Sequence, residues 1–178
     1  MSTYPTTARV AVGDEAPNFD LTSTEGVVLM LRDEVPRTAV VLYVFADPAS
    51  EGARRDLASL AAQTAALQRL RAKVLAMSPA PLAALQAAQR ELGLDFPLLH
   101  DDRGFAAAYG VAAAAAEGAS APALALVGRD QRLLWLAHPA PPATEALPEI
   151  LKLLRAQPSP TALYPRSVVN RLVDRWVN

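Results

Sequence analysis

The chain has 178 residues, enough for one compact domain with a real core. Its 17 basic and 18 acidic residues nearly cancel and form no block of like charge, which argues against a nucleic-acid partner. It has no cysteine, so disulfides, thiolate metal sites and thiol redox catalysis are excluded.

In chain order, "NFDLT" and "VVLML" alternate around the turn "STEG" and predict an N-terminal β-hairpin. "TAVVLYVF" (38–45) is a near-continuous apolar run, as expected of a strand covered on both faces. From Arg54 onward Leu57, Leu60, Ala61, Thr64, Leu67 and Leu70 recur at helical spacing. "KVLAMS" is a second buried strand, with Ser78 placed to cap a helix and Pro79 at its first position; that helix ends near Gly93. "FPLLHDDRGFAAAYGV" predicts a short strand, then an Asp-capped helix that stops at Gly110. "ALALV" (123–127) and "RLLWLA" (132–137) flank "GRDQ" as a hairpin. In "TEALPEILKLLRA", Leu147, Ile150, Leu151 and Leu154 form an amphipathic stripe, with Pro148 expected in the first turn.

The order β-β-β-α-β-α-β-α-β-β-α predicts an α/β sandwich, a mixed central sheet with helices on both faces. Residues 1–157 read as one domain. Residues 158–178 read as an appendage: a Pro-rich connector, "AQPSPTALYP", leads into "RSVVNRLVDRWVN". There Val168, Leu172 and Trp176 form one i+4 row and Val169, Val173 and Val177 the next, a C-terminal helix that packs on its own domain or on a partner subunit. The start "MSTYPTTARVAVGDE" has no charged n-region and no apolar h-region, and no apolar run approaches a membrane span. The expectation is a cytoplasmic protein without a membrane partner.

Five segments together resemble the peroxiredoxin family, the alkyl-hydroperoxide-reductase-like (redoxin) branch of the thioredoxin fold. "VGDEAPNFDLTSTEG" is similar to that family's opening segment, and "VVLYVFADPASEGARRDL" falls where it has a strand and then P-x-x-x-T/S-x-x-C. "KVLAMSPAP", "FPLLHDDRGFAAAYGV" and "APALALVGRDQRLLWLAHP" follow in family order and spacing, so the resemblance covers about residues 11 to 156. It implies a thioredoxin-like three-layer sandwich, thiol peroxidase ancestry and a homodimer. It also assigns positions. The peroxidatic cysteine falls on Ala53, the motif proline on Ala46, the Thr/Ser on Ser50 and the hairpin arginine near Pro122. Only Ser50 keeps the pattern, so no catalytic residue is expected, and neither is a cofactor.

Other constellations are sparse. Ser50 or Ser78 with His100 and Asp101 would supply the residue types of a hydrolytic triad, but the sequence has no G-x-S-x-G elbow. Asp101 and Asp102 read as helix caps, and His100 and His138 as surface or hydrogen-bonded histidines without the clustering that a metal site needs. Arg54, Arg55 and Asp56 read as a solvated helix start; with Ser50, the two arginines also form a candidate anion site at a helix N-terminus. Three functions remain open: a binding or structural module working as a homodimer or with another protein, an enzyme of thiol-independent chemistry on the old turn, and redox protection through Met30 or Met77.

Overall fold

The computed structural model describes residues 10–35, 37–111 and 121–157. The C-terminal helix expected from residues 158–178 and most of the alanine-rich stretch lie outside them. In chain order the elements are β1 (Asp20–Ser23), β2 (Val28–Met30), α1 (Leu31–Glu34), β3 (Ala39–Val44), α2 (Glu51–Arg69), β4 (Ala72–Ser78), α3 (Leu82–Leu92), β5 (Leu98–His100), a 3-10 helix (Phe105–Tyr109), β6 (Ala123–Val127), β7 (Leu133–Ala137) and α4 (Ala143–Ala156).

The seven strands form one mixed sheet in the order β2-β1-β5-β4-β3-β6-β7. β3 pairs in parallel with β4, and β4 with β5, whereas the hairpins β1–β2 and β6–β7 add antiparallel edges. Every residue of β3 is buried, because a strand without a polar face must be covered on both sides. Val41 and Tyr43 meet the apolar stripes of α2, α3 and α4. Val40, Leu42 and Val44 face the other layer, where Phe19, Leu31 and Phe105 come from the N-terminal segment, α1 and the 3-10 helix. Helices therefore cover both faces, with the three long ones gathered on one.

Four boundary expectations are corrected. Ser78 is not a helix cap but the last residue of β4; Pro81 occupies the N-cap of α3, so Pro79 precedes the helix. The Ser78 hydroxyl is committed to the sheet, where it donates to the Ala46 carbonyl at 3.0 Å and accepts from the Ala80 N–H at 3.1 Å. Pro148 lies inside α4 rather than in its first turn. α2 begins at Glu51, three residues before Arg54. The helix expected after "DDRG" is a single 3-10 segment, bracketed by Gly104 and Gly110 in left-handed conformations. Gly110 is also the only residue type that fits its surroundings: a Cβ there would lie 2.8 Å from the His138 ring.

Candidate functional site

The turn between β3 and α2 is built by its own polar groups. The Asp47 carboxylate accepts from the Ala49 N–H at 2.8 Å, and the Asp47 carbonyl accepts from the Ser50 hydroxyl at 3.0 Å. Ser50, extended at the N-cap, accepts from the Ala53 N–H at 3.3 Å, so its hydroxyl is used once as donor and once as acceptor. Ser78 ties the start of the turn to β4 through Ala46. The β3–β6 register pairs Val44 with Ala123, so Pro122 lies at the same end of the sheet as Ala46, Ser50 and Ala53. Ala53 is 5% exposed, its methyl packed in the core with Tyr43, Phe45 and Leu57. The fold thus gathers the four predicted positions, and none of them presents a free nucleophile.

The neighbouring arginines do not close on this turn. Arg54 reaches across to α3, where its Nη1 pairs with Glu91 Oε2 at 2.9 Å, and Arg55 is exposed. Asp56 departs most from expectation. It is 4% exposed, not solvated. Its Oδ2 accepts from the Tyr43 hydroxyl at 3.1 Å, and its Oδ1 accepts from the Ala143 N–H at 3.0 Å, the first residue of α4. A carboxylate on α2 thereby caps the N-terminus of α4, where unsatisfied N–H groups favour negative charge. Burial first, then the charge and hydrogen bond of Asp56, push the Tyr43 hydroxyl far above the ordinary phenol range. It stays a protonated donor. A signal for this existed in the sequence: Asp56 occupies a core position of the stripe Ala53, Leu57, Leu60, Thr64 and Leu67.

A family model described as the AhpC/TSA family matches residues 12–135. The chain belongs to the AhpC/TSA family. The fold of this AhpC/TSA chain is thioredoxin-like and similar to that of peroxiredoxins. The crystal structure of peroxidoxin BcpB from Mycobacterium tuberculosis matches with a TM-score of 0.74 at 20% identity, over 83% of this chain and 98% of that one. A Cys-to-Ser mutant of PrxQ from Xylella fastidiosa matches with a TM-score of 0.72 at 19% identity, over 84% of this chain and 98% of that one. A putative thiol:disulfide interchange protein DsbE from Chlorobium tepidum matches with a TM-score of 0.68 at 22% identity, over 82% and 98%. No curated protein matches the sequence.

Ser78 and His100 are register partners on β4 and β5, but the His100 Nδ1 is bonded to the Ala80 carbonyl at 2.9 Å. The Asp101 carboxylate accepts from the Phe105 and Ala106 N–H groups at 3.0 and 2.6 Å, but Gly104, not Asp101 or the exposed Asp102, occupies the N-cap. No triad is assembled from these groups. Met77 is fully buried in β4, and the half-buried Met30 sulfur accepts from Arg32 Nη2 at 3.5 Å. Among the described residues no group of three or more metal-ligating side chains converges, and no helix is long and apolar enough to cross a membrane.

Proposed function

We propose that this AhpC/TSA chain works without peroxidase chemistry, as a binding or structural module that pairs with a second copy of itself. The observation that carries the reading is the inert turn at the head of α2. Peroxide reduction needs a thiolate that attacks the O–O bond and is oxidised to a sulfenic acid. The chain has no cysteine, and Ala53, at the position the resemblance gives to the peroxidatic residue, offers only a core-packed methyl. The hydroxyls that hold the turn, those of Ser50 and Ser78, are spent on it, and a hydroxyl cannot be cycled by oxidation. Ala46 and Pro122 stand where the resemblance places the motif proline and an arginine, so positioning groups are missing as well.

The test is consumption of hydrogen peroxide and of an organic hydroperoxide in the presence of a thioredoxin system. No turnover above a protein-free control is expected, and clear turnover overturns the reading. Ala53→Cys places a thiol at a helix N-terminus, where its pKa falls. It is expected to react with peroxide stoichiometrically yet slowly, because positioned donors typically contribute several kcal/mol to such transition states, ~3 kcal/mol each. Efficient turnover by this single variant would show that Ala46 and Pro122 are not a defect.

A further inference from the structure

α2 and α4 pack side by side over one face of the sheet, and a groove of about 290 Å³ lies between their outer sides. Ser59, Ala62 and Gln63 line it from α2, and Leu147, Pro148 and Leu151 from α4; no charged side chain does. Among the described residues none covers it: Ala62 and Pro148 are exposed and Leu151 is half-buried. A helix that faces only water carries polar and charged residues on its outer side. α2 has no charged residue from Leu57 to Gln68, the stretch that borders the groove.

The same chain holds a segment that needs such a surface. α4 stops at Gln157, whose backbone is extended. The sequence then runs through Pro158, Pro160 and Pro165 to the rows Val168, Leu172, Trp176 and Val169, Val173, Val177. On a helix these two rows merge into one apolar arc, a larger patch than soluble monomers leave in water. Reach decides the direction. Residues 158–165 span at most about 26 Å, against a length of about 21 Å for the 14 residues of α4. A hairpin course, doubling back from Gln157 along α4, falls well within that reach. A course parallel to α4 would use almost the whole connector in returning to the level of Ala143 and leave nothing for its two turns. Attachment also keeps this segment at a far higher local concentration than any free partner.

We propose that residues 166–178 lie as a helix in the α2–α4 groove of their own chain, antiparallel to α4. Val169 then comes level with Leu151, Leu172 with Pro148 and Val173 with Leu147, an apolar seam without a charge. The contact does not rest on the proposed loss of peroxidase chemistry.

The test is cross-linking of the full chain with a short bis-maleimide, whose reach suits helices in contact at axial distances of about 8–10 Å. The chain has no cysteine of its own, so only two introduced thiols react. Ser59→Cys with Val173→Cys joins the groove to the apolar arc, and both replacements nearly conserve volume. Ser59→Cys with Asp174→Cys has almost the same tether but places the second thiol off that arc. The first pair is expected to cross-link within one chain at least tenfold faster than the second, at a rate unchanged by dilution. Adding Ala62→Lys puts a charge in the groove and should slow the first pair about tenfold, because an unpaired charge resists burial. Equal rates for the two pairs, or no effect of Ala62→Lys, overturn the proposal. Cross-links between chains that fade on dilution also overturn it, and assign the groove to a second copy.

Discussion

At the scale of single residues, the least expected feature is Tyr43 against Asp56. A buried phenol that donates to a buried carboxylate is held protonated, while in the unfolded chain it titrates near 10. Above that pH the unfolded chain loses this proton and the folded chain keeps it. The unfolded state then binds fewer protons, so stability falls as pH rises through the ordinary phenol range. Tyr43→Phe removes the titrating group and should flatten that fall in chemical denaturation between pH 9 and 11. At pH 7 the same variant leaves Asp56 Oδ2 without its donor and should be less stable by about 1–3 kcal/mol. Equal slopes for the two proteins above pH 9 would show that the hydroxyl is not held as described.

At the scale of elements, the bond from Asp56 to Ala143 makes α4 depend on α2. Asp56→Ala removes that cap and strands the buried Tyr43 hydroxyl, for a loss of about 3 kcal/mol from the two effects together. Asp56→Asn keeps an oxygen for the Ala143 N–H and should lose less. Hydrogen exchange should place the largest gain in α4 and not in α3, and uniform opening of all three long helices would contradict the coupling. The burial of Asp56 has its signal in the stripe, but the link itself does not, because its partners lie 13 and 87 residues away. β3 and α2 are legible because their periodicities are local, and so is the place of Ser50 and Ala53 at the head of α2, since they fall on one contiguous segment. Ser78 reads as a cap because Ser-Pro precedes a helix, whereas its partner, the Ala46 carbonyl, comes from the turn that follows the neighbouring strand β3. α1, four residues long, has too few positions to show any period.

At the scale of the whole molecule, the sheet formed by the described residues has two edges, β2 and β7. The residues of β7 are buried or half-buried, but β2 is three residues long and leaves Val28 53% exposed, beside Val27 at 54%. An exposed edge of β-branched residues is a template for pairing, and charge on such an edge blocks it. A symmetric dimer would use the same edge on both copies, so one substitution strikes the interface twice. The expected result is a dimer of the full chain in sedimentation at high micromolar concentration, retained by a chain ending at Gln157. Val28→Lys should sediment as a folded monomer, with an unfolding midpoint close to that of the parent at low concentration, since the side chain is exposed in the single copy. A monomeric full chain would remove the dimer altogether. A Val28→Lys protein as dimeric as the parent would move the interface away from this edge, and loss of the dimer on truncation would assign it to residues 158–178.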